Sequence, residues 1–230
     1  MPRKISSKRV NTTLLLTESA VMLALSAALF TVSEFIPWPA SLQGGGISLF
    51  GSLPIIVLSY RRGLKYAIPT AFILSLFELV MGLSNFAWVK GPVSYVIVAL
   101  FDYILAYTSF GIGGLFRKAK GNVTVKLVAG TVITNAIRFV CHFLSGITVW
   151  SEYTQGNSGF TNLDSLIHGI TKGSVIYSVT YNGGYMLPET IIAVIGAVAV
   201  GIILRKELVR YLGESKPTEA TPETAQDIAD

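Results

Sequence analysis

Residues 125–150 read VKLVAGTVITNAIRFVCHFLSGITVW. At about 1.5 Å per residue, a helix of that length passes the ~30 Å hydrocarbon core of a bilayer. Yet its second half carries Arg138 and His142. An ionisable side chain inside a membrane span is costly, and by default it faces the bundle interior or a water-filled cavity. The stretch therefore predicts a helix that crosses a membrane and a polar site buried among its neighbours.

The rest of the chain agrees. Of 230 residues, 51% are hydrophobic and 13% charged, about half the charged share of a soluble domain, which is roughly 25%. The apolar residues come in long blocks, which places the chain in the membrane class. The net charge of +5 does not indicate a nucleic-acid surface, because the basic residues lie between apolar blocks and not on one face. The single cysteine, Cys141, excludes an internal disulfide and a multi-cysteine metal site, and inside its apolar segment it reads as a packing residue.

Six candidate spans appear, at residues 13–36, 47–60, 64–83, 93–116, 125–150 and 177–204. The second is short and contains Gly51 and Pro54, so it is expected to be bent or to span incompletely. The alternation of barrel strands is absent, and helices satisfy their own backbone groups in lipid. The fold class is an all-α membrane protein, a six-transmembrane-helix bundle. The N-terminal basic residues and following apolar run resemble a signal peptide, but the run is long and lacks a clear small-residue cleavage site, so it reads as an uncleaved first helix.

Basic residues set the orientation. Arg3, Lys4, Lys8 and Arg9 precede the first span, and Arg61, Arg62 and Lys65 follow the second. Arg117, Lys118, Lys120 and Lys126 lie between the fourth and fifth, and Arg205, Lys206, Arg210 and Lys216 follow the sixth. The opposite side has Lys90 and Lys172. The positive-inside rule then puts both termini in the cytoplasm. Residues 1–12 form a basic N-terminus and 13–207 the transmembrane domain. Residues 208–230 form a polar cytoplasmic tail, with GESKPTEATPETAQDIAD from Gly213 expected to be disordered.

The ionisable residues within spans are Glu18, Glu34, Glu78, Asp102, Arg138, His142 and Glu189. Glu18, Glu34 and Glu189 are expected near helix ends, within reach of water, and Glu78 is ambiguous. Asp102 is well inside the fourth span. Arg138 and His142 are four apart and share a helix face; Gly146 and Trp150 continue the row. Two readings stand: an Arg138–Asp102 pair that ties two helices, or a ligand pocket of cation, imidazole, small gap and aromatic plane. On the outer side, Gly44, Gly45 and Gly46 allow a mobile first loop, and Tyr177, Tyr181, Asn182 and Tyr185 lie near the mouth of the last span. Asn182 and the two glycines after it also suit a turn. Ala20, Ala24 and Ala28 form a row of small residues, which packs against a neighbouring span or docks a separate membrane subunit.

HFLSGITVW at 142–150, YSVTYNGGYMLP at 177–188, LFDYILAY at 100–107, RRG at 61–63 and the alanine row together resemble the thiamine-specific, ThiT-type substrate-binding subunits of energy-coupling factor transporters, over roughly residues 13–207. The resemblance implies a six-helix bacterial cell-membrane protein that takes thiamine from outside. Its implied partners are a membrane coupling protein and two cytoplasmic ATPases; nucleic acid is not among them. It implies that His142 and Trp150 pack against thiamine's rings, with Asn182 and Tyr177 in the pocket. Asp102 stands where the family has an acidic residue, often glutamate, and Arg138 where some members have lysine. Trp38 is the nearest candidate for an aromatic contributed by the first outer loop. The alanine row matches the family's docking face for the coupling protein.

The chemistry is coherent on its own terms. Indole and phenol faces attract a thiazolium, and Asp102 supplies the opposite charge. His142 and Asn182 can exchange hydrogen bonds with an aminopyrimidine edge. Arg138 would pair with Asp102 or face the ligand's hydroxyethyl end, where a phosphate would also suit it. The chain lacks HExxH, GxSxG and GxxxxGK[ST], so it reads as neither an intramembrane enzyme nor an ATPase, and any ATP is used by partners. It is expected to need no cofactor. The competing reading is a self-sufficient, proton-coupled secondary transporter relaying protons through Asp102, Arg138 and His142.

Overall fold

The computed structural model describes residues 12–36, 45–151 and 169–208. Trp38, the basic N-terminus and most of the tail lie outside the described residues. Six helices matter to the site: α1 (Thr12–Glu34), α2 (Leu53–Arg62), α3 (Leu64–Trp88), α4 (Pro92–Ile112), α5 (Val123–Trp150) and α6 (Lys172–Ile203). All but α2 are long and apolar enough to cross a membrane. Every regular element among the described residues is helical.

The packing is that of a bundle solvated by lipid. Leu16, Val32, Phe72, Val80, Ile191 and Ile202 are exposed, whereas Ser26, Ser59, Thr131, Thr134 and Asn135 are buried. Lipid gives apolar side chains no reason to turn inward, so small and polar residues take the helix–helix contacts. Close approach is explicit at Gly130 of α5. A Cβ there would lie 1.8 Å from the carbonyl oxygen of Gly113, just beyond α4.

The second candidate span, 47–60, is not one helix. Residues 45–48 have no regular structure, and α2 begins at Leu53, with Pro54 in its first turn, where a missing N–H leaves no bond unmade. It ends at Arg62, before Gly63 at φ 86°. Its ten residues are about 15 Å long, half a bilayer core, and Leu53–Tyr60 is buried throughout. The irregular stretch and α2 together run antiparallel to α1. Leu49 N–H donates to Ser33 Oγ at 2.8 Å, Ser26 Oγ to Gly51 O, and Arg61 meets Glu18 at 3.0 Å. Irregular backbone at membrane depth is tolerated where protein covers it, and Ile47 and Ser48 are buried.

At the other end of α2, Arg117 donates from Nε to Tyr60 O at 2.9 Å and from Nη2 to Arg61 O at 3.0 Å, closing the open carbonyls of the helix terminus. Lys126 Nζ donates to Ala119 O at 3.1 Å. Four of the basic residues counted for orientation, Arg61, Arg62, Arg117 and Lys126, thus meet at one end of the bundle.

Candidate ligand site

Asp102 lies on a π-helical stretch of α4, Val98–Leu105, and α5 ends in another, Gly146–Trp150. A π turn closes on the fifth residue and occurs mostly as a single turn within an α-helix, frequently at functional sites. Here Ser151 N–H donates to Gly146 O at 2.9 Å. The wide turn lets Ser145 and Trp150, five apart, reach the same oxygen. Ser145 Oγ and Trp150 Nε1 each donate to Asp102 Oδ2 at 2.7 Å, and His142 Nδ1 lies 2.9 Å from Oδ1. Asp102, His142 and Trp150 therefore come together as expected, with Ser145 as a member that spacing alone missed.

Gly146 departs from the anticipated row. A Cβ on it would lie 2.2 Å from Ser178 Oγ and 3.0 Å from Asn182 Nδ2, both on α6. The glycine is the contact point between α5 and α6, not a gap for a ligand. Asn182 lies inside α6, so the turn reading is overturned. Its amide donates to His142 O at 3.2 Å and Ser178 O at 3.0 Å, and its Oδ1 accepts from Tyr185 Oη at 2.9 Å. What it keeps for a ligand is the second acceptor position on Oδ1.

Aromatic rings at four-residue spacing descend α6 towards this cluster. Tyr177 stacks on Tyr181 with centroids 5.6 Å apart and planes 11° apart. Tyr181 meets Tyr185 edge-on at 5.6 Å, and Tyr185 meets the His142 ring at 6.2 Å. Gly45, from the first outer connection, packs against Tyr181 and Tyr185. His142 Nε2 is buried and has no hydrogen-bond partner among the described residues.

Arg138 does not pair with Asp102. It binds Glu189 Oε1 at 2.6 Å, one turn deeper on α5 than His142, and its guanidinium carbon lies 5.0 Å above the Tyr107 ring. Ser48 Oγ donates to the same glutamate oxygen. Arg138 is 4% exposed and Glu189 2%. The expectation that Glu189 reaches water is overturned: α6 runs from Lys172 to Ile203, which leaves Glu189 mid-helix and buried. Glu189 was legible as a site residue, lying four positions after Tyr185 and seven after Asn182 on one helical face.

Elsewhere, Glu18 is held by Arg61 and Arg62, Glu78 is buried in α3, and Glu34 is exposed at the end of α1. Ala20, Ala24 and Ala28 are all exposed along α1, so they do not pack against a neighbouring span. Among the described residues no cluster of three potential metal ligands occurs.

Known proteins resemble the chain over most of its length. Residues 16–210 match the family model described as thiamine transporter protein (Thia_YuaJ). Thiamine transporter ThiT of Bacillus subtilis is 31% identical over 192 residues, covering 78% of this chain and 86% of that protein. Thiamine transporter ThiT of Lacticaseibacillus paracasei is 27% identical over 197 residues, 81% of this chain and 85% of that protein. A solved structure of ThiT from Listeria monocytogenes shares the fold, with a TM-score of 0.59, 20% identity, and coverage of 86% of this chain and 98% of that one. These relatives are named as transporters and not as enzymes, and the chain, a multi-pass membrane protein, belongs to the thiamine transporter family.

Proposed function

We propose that this chain is the high-affinity thiamine-binding subunit of an energy-coupling factor importer. It captures thiamine from outside, and a membrane coupling protein and two cytoplasmic ATPases drive uptake. The observation that carries this reading is the Asp102 carboxylate, held by a hydroxyl, an indole N–H and an imidazole, with no arginine or lysine on it among the described residues. A carboxylate so placed, beside aromatic rings in a membrane bundle, is complementary to an organic cation. Membership of the thiamine transporter family supports the choice of cation.

In this reading the thiazolium lies between Asp102 and the Trp150 face. The aminopyrimidine edge bonds to His142 Nε2 and the spare acceptor of Asn182, and Tyr177 lines the mouth. Trp38 contributes from the first outer loop, whose Gly45 already lies on Tyr181 and Tyr185. Residues 13–207 cross the membrane six times, counting the irregular stretch and α2 as one pass, with both termini cytoplasmic. No cofactor is required, and ATP is used by the partners. The exposed alanine row on α1 docks the coupling protein, because small residues let another helix approach closely.

The test is a thiamine titration of the detergent-purified chain alone, read by tryptophan fluorescence. Saturable binding at submicromolar thiamine without ATP is the expected result. A folded protein that does not bind thiamine would overturn the assignment. Uptake by the chain alone, driven by a proton gradient, would favour a secondary transporter instead.

A further inference from the structure

Beneath the Asp102 cluster lies a second charged layer. Arg138 and Glu189 form it, one helical turn inward of His142 and Tyr185 respectively, and Ser48 joins it from the first outer connection. A guanidinium within one turn of a site for an organic cation would ordinarily recruit a phosphate attached to that cation, through a forked pair of charge-assisted bonds. Here Nη1 of that guanidinium is engaged by Glu189 at 2.6 Å, while Nε is buried with no hydrogen-bond partner among the described residues.

We propose that Glu189 determines the charge class of the ligand. By pairing with Arg138 it neutralises the positive charge that a phosphate would need, so the site takes the unphosphorylated organic cation and discriminates against that cation's phosphate esters. A phosphate group brings about −1.5 to −2 charges, and placing them beside Asp102 and Glu189 without a free counter-cation is opposed by repulsion and by desolvation. This rests on the thiamine reading above and adds its selectivity.

The experiment titrates the purified full chain with thiamine and, separately, with thiamine monophosphate. Wild type is expected to bind thiamine about 100-fold more tightly, a gap of roughly 2.7 kcal/mol. Glu189→Gln frees Arg138 and is expected to shrink the ratio at least about tenfold, through tighter monophosphate binding, as one new charge-assisted hydrogen bond would do. The double variant Arg138→Gln/Glu189→Gln has no unpaired Arg138 charge and should restore the wild-type ratio. It also serves if the single variant does not fold.

A wild-type ratio within about threefold of unity overturns the proposal, being less than the ~1 kcal/mol typical of a single neutral hydrogen bond. So does an unchanged ratio in a Glu189→Gln protein that still binds thiamine. A selective loss of monophosphate binding in the double variant would show that Arg138 already serves the phosphate, and would overturn the proposal equally. Failure of wild type to bind thiamine at all would instead sink the thiamine assignment itself.

Discussion

Glu18 and Asp102 are both carboxylates inside a membrane bundle, one near the start of α1 and the other midway along α4, and they are satisfied in opposite ways. Glu18 lies between two arginines, with Arg61 Nε at 3.0 Å and Arg62 Nε at 2.6 Å. That cluster is saturated with positive charge and ties α1 to α2. Asp102 instead has Ser145, Trp150 and His142 around it, donors that orient a carboxylate without matching it with a guanidinium or ammonium. The bundle does have an arginine close by, and commits it to Glu189. A buried charge left without a permanent counterpart is retained where a ligand completes it, which is why intramembrane ionisable residues mark sites. On the proposed function, the contrast is that between a structural clasp and a binding site, drawn from partner chemistry.

The sharpest way to break that contrast is Asp102→Asn. The amide keeps an acceptor for Trp150 and Ser145 but removes the charge. Thiamine affinity should fall by about 100-fold or more, since removing one member of a buried charge pair costs about 3–5 kcal/mol. Fluorescence or calorimetric titration reads it, and wild-type affinity in this variant would mean that the carboxylate is structural like Glu18. Next in size is Trp150→Ala, which loses a cation–π face of about 2 kcal/mol, equivalent to roughly 30-fold. Trp150→Phe keeps an aromatic face and loses only the N–H to Asp102, so its loss should be smaller. Equal losses in the two would assign Trp150 the role of hydrogen-bond donor rather than aromatic wall.

Much of this architecture is legible in the residues themselves. Long apolar blocks mark the membrane class and five of the helices, because hydrophobic length is a direct reading of bilayer thickness. Asp102, His142 and Trp150 stand out because charge and polarity inside a span are costly enough to need a reason. The π-helical stretches at Val98–Leu105 and Gly146–Trp150 are not legible. They leave no mark in periodicity, and they move Gly146 out of the expected row and into the α6 contact. Matching opposite charges within spans four and five alone gives Arg138 the wrong partner. Its true partner, Glu189, is mid-span in residues 177–204 just as it is in α6, so the expectation of water there misplaces the residue and lacks no signal in the sequence. The second span fails as a helix because Ile47 and Ser48 are covered by protein, so their backbone need not be helical.

A smaller effect on binding tests the other side of the contrast. Glu18→Gln leaves Arg61 and Arg62 without their carboxylate charge. These side chains are 7–18% exposed, so the loss falls between the ~1 kcal/mol of an exposed pair and the ~3–5 kcal/mol of a buried one. Lower thermal stability in detergent with unchanged thiamine affinity is the expected outcome. A marked loss of affinity would show that the α1–α2 clasp is coupled to the distant site, and the two regions would no longer be independent.

The smallest expected effect on binding, and the most informative about partners, comes from Ala24→Leu. Ala24 is exposed in the middle of the Ala20, Ala24, Ala28 row, so a larger apolar side chain meets lipid and not the bundle core. Thiamine affinity of the isolated chain should therefore be unchanged. Close helix approach in a membrane, however, depends on small side chains at the contact, and an isobutyl group there holds the helices apart. On the proposed function, ATP-dependent thiamine uptake reconstituted with a coupling protein and ATPases should fall sharply, and co-purification of the coupling protein with it. If uptake is unaffected while Ala20→Leu and Ala28→Leu are equally silent, α1 faces lipid alone. If affinity falls instead, the row contributes to the shape of the site, and exposure on α1 is not the mark of an independent docking face.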